Sequence, residues 1–164
     1  MLNMNFEKKV VIETHQQPWI TSPRGGVWRK PLAREDAERG HATSLVKFEA
    51  GASFSEHDHP LGEEILVLSG TFSDQSGDYQ AGNYFRNPEG FIHAPFSKEG
   101  CVLLVKLHQF TDGDDKHIVI DTNKTEWSPG QGGLSVMPLH NYEGESTALV
   151  KWPKGEQFQL HRHF

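Results

Sequence analysis

A single cysteine, Cys101, leaves no partner for a disulfide within the 164 residues, which suits a reducing compartment. Long apolar runs are missing too. The longest unbroken one, Cys101 to Val105, is far short of the roughly 20 residues a membrane helix needs. The segment from Met1 to His15 mixes Asn, Glu and Lys with Val-Val-Ile and has no apolar h-region of a secretory signal. A cytoplasmic protein without a membrane partner is therefore expected. Basic charge is also scarce: 16 Lys and Arg face 22 Asp and Glu, for a net charge of -6. Nucleic-acid binders neutralise phosphates with a basic face. The richest basic stretch here, Arg24 to Lys30, is modest, so direct nucleic-acid binding is not expected.

Glycine (16), proline (9) and histidine (10) are plentiful. The Gly and Pro punctuate short apolar runs, a texture of strands and turns. Expected strands are Lys9 to Glu13 (an edge strand), Val27 to Leu32, Thr43 to Phe48, Phe54 to His59 and Glu63 to Leu68. Further strands are expected from Thr71 to Ser73, from Tyr79, over Gly82 to Arg86, Phe91 to Pro95, Cys101 to Phe110 and His117 to Asp121. Ala33 to Gly40 reads as a helical turn or a solvated loop. Strands this short, with turns at close intervals, predict an all-β antiparallel sandwich or barrel. An acidic stretch, Thr111 to Lys116, marks a domain edge. The expected organisation is an N-terminal arm (1–24), a complete domain (25–112) and a further segment (113–164).

That last segment contains a repeat. Thr43-Ser-Leu-Val-Lys-Phe through His57-Asp-His59 matches Thr147-Ala-Leu-Val-Lys-Trp through His161-Arg-His163 at a constant offset of 104 residues. Pro31-Leu32 and Pro138-Leu139 extend the match after a three-residue gap. Self-similarity of this kind indicates a duplicated domain, and 113–164 reads as an incomplete second copy.

One constellation carries chemistry. His57 and His59 are two apart, so on a strand they share a face. Glu63 keeps the parity across the Pro60-Leu61-Gly62 bend, whereas Glu64 should point away. Pro88 and Gly90 build a tight turn that can carry His93 back opposite the first three. Three imidazoles and one carboxylate suit Zn, Fe, Mn, Co, Ni or Cu, with no thiolate to narrow the choice.

These segments resemble the two signature motifs of the cupin superfamily. Gly51, His57, His59, Glu63 and Gly70 match the first, G-x5-H-x-H-x3,4-E-x6-G. Gly82, Pro88, Gly90 and His93 match the second, G-x5-P-x-G-x2-H-x3-N, with Ser97 in place of its final Asn. The resemblance implies an RmlC-like jelly-roll β-barrel with flanking N-terminal arm and C-terminal strands. It also implies a metal held by His57, His59, Glu63 and His93. Val27-Trp-Arg-Lys-Pro-Leu32 and the run from His41 to Gly82 are closer still to ChrR-type cupins, which include the C-terminal domains of zinc-binding anti-sigma factors. That likeness implies a sensory or regulatory module, with Zn2+ first and Fe2+, Mn2+ or Ni2+ as alternatives. The sigma-binding half of such proteins uses His and paired Cys ligands. With Cys101 alone, it is expected to be absent. The alternative is a cupin dioxygenase with three His and one Glu, acting on a small diketone-like or other chelating oxygen substrate. In that reading Glu63 could leave the metal and act as base; no second acid or base is identified, so enzymatic activity stays open.

Other residues receive plainer readings. His161 and His163 read as spare strand residues, and His108 as a strand histidine that could line a wall. Cys101 reads as a small core residue. Arg86 and Lys106 interrupt apolar strands. They read as outward surface charges, the other option being that they meet an anionic ligand or balance Glu63. A small molecule in the barrel and a homodimer built partly from residues 117–164 are the expected partners.

Overall fold

The structure, a computed structural model, describes residues 1–23, 25–36 and 39–159. His161 and His163 lie outside the described residues. Among those described there is no helix. The chain forms two compact units, Met1–Asp121 and Thr122–Phe164.

The first unit contains β1 (Ile20–Thr21), β2 (Val27–Arg34), β3 (Ala42–Phe48), β4 (Glu63–Asp74), β5 (Gly77–Gln80), β6 (Asn83–Asn87), β7 (Cys101–Leu107) and β8 (Ile118–Asp121). They form one antiparallel sheet in the order β1-β2-β3-β7-β4-β6-β8, with β5 paired to β4. The all-β expectation holds, as do most of the strands read from alternation. Lys9 to Glu13 does not form its edge strand. The arm is tied down by side chains instead: Asn3 donates to the Leu32 carbonyl, Lys30 to that of Thr14 and Gln17 to that of Pro31. Between residues 3 and 19 the arm's own backbone stays out of the ladder. The paired pieces are Ile20–Thr21 on β2 and a bridge between Leu2 and Arg34.

Alternation puts one residue in two on the inner face. On β7, Leu103 and Val105 face in, and Val67 and Ile65 of β4 pair with them. The core joins these to Phe48, Phe72, Tyr79 and Phe85. Phe72 meets Phe48 edge-on at 5.8 Å and stacks on Phe85 at 5.5 Å. The β4–β7 register slips between Val67 and Ser69. This bulge reverses the parity of β4, so Gly70, Phe72 and Asp74 follow Glu63, Ile65 and Val67 on the inner face. Gly70 is required at the slip. Its φ is +73° and a Cβ there would strike the Gly100 carbonyl, a backbone position no side chain accommodates.

The segments 53–57 and 93–96 are not regular strands. They meet through isolated bridges Ser53↔Phe96 and His57↔His93, and Ser73 of β4 also pairs with Phe96.

The second unit contains β9 (Ser128–Pro129), β10 (Ser135–Tyr142) and β11 (Glu145–Lys151), in the order β11-β10-β9. It repeats the pairing of β1, β2 and β3 in detail. Pro31 opposes Ser44, and the register slips before Ala33 opposes Thr43. Pro138 opposes Ala148, and the register slips before His140 opposes Thr147. The side-chain dressing recurs as well: Lys47 lies 5.1 Å from the Trp19 ring centre and Lys151 lies 4.0 Å from that of Trp127. The repeat in the sequence is thus a repeat in strand register.

Candidate metal centre

His57 and His93 face each other because their backbones pair directly, each N–H donating to the other's carbonyl at 2.9 Å. Their rings lie 4.9 Å apart, and the His59 ring is 4.8 Å from His57. Nδ1 of His57 is 2.7 Å from the Ser55 carbonyl. With Nδ1 protonated as donor, Nε2 is left as the basic nitrogen. One nitrogen from each of His57, His59 and His93 lies within 4.8 Å of the others. Leu61 and Gly62, with φ of +53° and +74°, turn the chain between His59 and β4. Glu63 then opens β4 beside two of the imidazoles, with Oε1 3.5 Å from His59 Nε2 and Oε2 3.5 Å from His93 Nε2. Asn87, its cross-strand partner, donates to Oε2 at 3.2 Å. All four residues expected at the site are therefore neighbours, although His57 and His59 lie in irregular chain rather than on a strand.

The electrostatics fit a cation that would sit among these groups. His59 is held at a pKa of about 3, first by burial and then by His57, His93 and His108. Its imidazole is neutral at any ordinary pH. Burial pushes Glu63 up, more than the neighbouring histidines and Asn87 hold it down. For His93, burial opposes the charged form, but the carboxylates of Asp74 and Glu63 outweigh it and the pKa rises. His93 is 1% exposed, and neither ring nitrogen has a hydrogen-bond partner. Leaving a buried polar atom unsatisfied costs about 1–3 kcal/mol. A metal ion on Nε2 would remove that cost for one of them.

Behind Nδ1 of His93 stands Asp74, at 3.7 Å. This is too long for a hydrogen bond but close enough for electrostatic pairing. Burial would raise the Asp74 pKa, yet His93 and the N–H groups of Ser76 and Gly77 bring it below the usual value; Ser76 N donates to Oδ1 at 2.7 Å. A carboxylate behind a ligating imidazole orients the ring and raises its basicity. Sequence reasoning missed Asp74 because simple alternation along β4 turns it outward. Only the bulge between Val67 and Ser69 brings it in.

His57, His59 and Glu63 open on a cavity of about 310 Å3. Its walls are mainly apolar, among them Val46, Phe48, Phe54, Ile65 and Leu103. Two expectations about charges need correction. Arg86 and Lys106 neither project to the surface as free charges nor meet the cavity. With Glu64 they form one cross-strand row on the outer face. Lys106 pairs with Glu64 at 2.9 Å, and Tyr84 donates to Glu64 at 2.6 Å. Arg86 pairs with Asp114 at 2.8 Å and packs on the Phe110 ring. Glu64 does point away from His57, His59, Glu63 and His93, as expected, yet it is buried by this network. His108 is not a strand residue. β7 ends at Leu107, and His108 takes φ +58° and bonds through Nδ1 to the Pro60 carbonyl. Its ring lies 6.3 Å from that of His59. Cys101 is buried, and burial pushes its thiol pKa up, which suits packing rather than reactivity.

The ChrR cupin-like domain family matches residues 7–111 and 115–164, nearly the whole chain. The chain belongs to the ChrR cupin-like family. Solved structures agree on the cupin fold. An RmlC-like cupin protein from Ralstonia eutropha is 20% identical, with a TM-score of 0.54 over 73% of this chain and 85% of that one. An acetylacetone dioxygenase from Acinetobacter johnsonii is 21% identical, with a TM-score of 0.52 over 72% of this chain and 87% of that one. The anti-sigma ChrR of Rhodobacter sphaeroides, solved in complex with SigE, is 24% identical, with a TM-score of 0.49 over 57% of this chain. This cupin chain covers 50% of that ChrR chain. No curated protein matches. Among the described residues no helix is long and apolar enough to cross a membrane.

Proposed function

We propose that this cupin holds one divalent transition-metal ion on His57, His59, His93 and Glu63, and that it serves as a sensory or regulatory module for a small molecule admitted to the cavity. The convergence of three imidazoles around a buried, unsatisfied His93 carries the reading. Zinc is the metal we expect, since nothing in the ligand set demands redox chemistry. When bound, the ion would supply a Lewis-acidic centre for an oxygen donor. The protein's own share is to present neutral imidazoles, to orient His93 from Asp74 and to keep bulk water out with apolar walls. Metal analysis of protein purified without added metal, beside His57→Ala, tests this. Near-stoichiometric zinc, lost in the variant, is expected; metal no higher than in the variant would overturn the reading.

A second reading draws on the cavity. Ligands that face about 310 Å3 of apolar space also suit a dioxygenase acting on a small chelating oxygen substrate. Iron in place of zinc, with oxygen uptake on a β-diketone, would favour it. We further propose that residues 113–164 form a second cupin repeat and help to build a homodimer in the cytoplasm. Val150 and Trp152 are both half exposed or more. Light scattering should report a dimer, and a monomer would refute this assembly.

A further inference from the structure

The stretch from His93 to Ser97 is irregular, yet its N–H groups are engaged. His93, Phe96 and Ser97 donate to the backbone carbonyls of His57, Ser73 and Ala52, and Pro95 has no N–H to give. Ala94 differs. Its N–H goes to a side chain, Oε1 of Gln75, at 3.1 Å. Nε2 of the same amide donates to the Ile92 carbonyl at 2.7 Å. One side-chain amide thus takes the two backbone groups that flank His93.

The strand pairing explains why a side chain is used. Ser73 of β4 pairs with Phe96. Continued in antiparallel register, that pairing would set the Gln75 backbone opposite Ala94. β4 instead ends at Asp74, which pairs with Gly77 as the chain turns into β5. The Gln75 backbone leaves the ladder there, and its side chain reaches back in its place. A primary amide carries both a donor and an acceptor, as a peptide group does, so it can stand in for the missing strand.

The consequence falls on His93. Its own N–H and C=O are held by His57 on one side, and its two chain neighbours are held by Gln75 on the other. Asp74, beside Gln75 in the chain, stands behind the His93 ring. The turn between β4 and β5 therefore meets His93 at both ring and backbone. We propose that Gln75 is a positioning residue for His93, its side-chain amide fixing the backbone that aims this imidazole at His57, His59 and Glu63. The proposal deepens the metal reading above and rests on it for its purpose. Gln75 is exposed, so water competes for both of its hydrogen bonds and limits the size of the effect.

The test uses the full chain and two variants. Gln75→Met keeps the length of the side chain and removes both hydrogen bonds. Gln75→Glu keeps the acceptor for Ala94 and loses the donor to Ile92. The first measurement is amide hydrogen exchange by NMR on metal-free protein. In Gln75→Met the amides of Ala94 and His93 should exchange about tenfold faster, the reach of one neutral hydrogen bond, while those of Leu103 and Val105 in β7 keep the parent rate. In Gln75→Glu the Ala94 amide should stay slow. The second measurement is zinc affinity by chelator competition, with the visible spectrum of bound cobalt(II) as a probe of ligand geometry. Zinc should bind Gln75→Met about three- to tenfold more weakly, and the cobalt bands should shift. Unchanged exchange at Ala94 and His93 overturns the proposal, and so does faster exchange that extends to Leu103 and Val105. Zinc affinity within about twofold of the parent, with the cobalt spectrum unmoved, overturns the positioning role. A parent that takes up neither metal refutes the metal reading alone. The His93 amide then decides for Gln75, in favour if it exchanges faster in Gln75→Met and against if it does not.

Discussion

His59 should make the metal-free protein acid-labile in a way that one substitution can isolate. Its pKa falls from 6.5 to about 3 in the fold, because its side chain is only 19% exposed and other imidazoles crowd it. The unfolded chain keeps the ordinary value, so on acidification it takes up the proton first. The folded state is fully favoured above pH 6.5. It loses ground as pH falls from there toward about 3. At 1.36 kcal/mol per pKa unit the whole loss is about 5 kcal/mol. Between about pH 7.5 and pH 5.5 the share is about 1.4 kcal/mol, since linkage counts the protons bound by the unfolded chain. Glu63 and His93, both raised, act in the opposite sense over their own ranges, so the parent's total slope is not the observable. The observable is the difference between parent and His59→Leu, measured by urea unfolding after chelator treatment at the two pH values. The variant should be less sensitive to acid by about 1.4 kcal/mol. Equal slopes would mean that His59 titrates normally in the fold. The claim that it reaches a metal without first shedding a proton would then fail.

On the proposed reading, Asp74→Asn should weaken metal binding by about 10- to 100-fold, the usual effect of removing a carboxylate behind a ligating histidine, while circular dichroism stays unchanged; chelator competition measures it. Arg86→Met should destabilise the fold by about 3–5 kcal/mol in denaturant titrations, because it breaks a buried ion pair from one side, and metal stoichiometry in the surviving folded fraction should match the parent's. Gly70→Ala drives a Cβ against the Gly100 carbonyl, so it should lower the melting temperature more than Gly51→Ala, which shares a positive φ (+81°) but has open surroundings.

Period-two alternation explains both what the sequence disclosed and what it hid. It placed Glu63 with the histidines and Glu64 away from them, and both placements hold. For Glu64 it worked because both glutamates open a regular stretch of β4; Glu63 meets the histidines although they lie in irregular chain, through the turn at Leu61 and Gly62. Seven residues on, the same rule fails, because the register slip reverses every later residue of β4. Gly70 is the visible trace of that slip, yet in the motif it reads only as spacing. Arg86 and Lys106 were misjudged for a different reason. Alternation states which face a side chain takes, not whether another segment covers that face. The 110–114 stretch, read as a polar edge, supplies Phe110 and Asp114 to Arg86. Pairings between segments remote in sequence, such as His57 with His93, became legible only through the spacing of two motifs.

Glu63 and Glu64 are adjacent, equally buried and opposite in circumstance, and the contrast bears on function. Glu64 has a lysine at 2.9 Å and a tyrosine hydroxyl at 2.6 Å, so its charge is compensated within the fold. Glu63 has one amide donor at 3.2 Å and a pKa pushed up by burial. Across from it, His93 is buried with both nitrogens unsatisfied. A fold that were only optimising its own stability could have used apolar residues at these inner positions, as it does at Ile65 and Val67 directly along the same face. Under-satisfied polar groups of Glu63 and His93 meeting on one inner surface, while the neighbouring Glu64 has its charge compensated on the outer one, indicate groups held ready for something from outside the chain. The cost of each is a kcal/mol or more, and it falls where four candidate ligands meet.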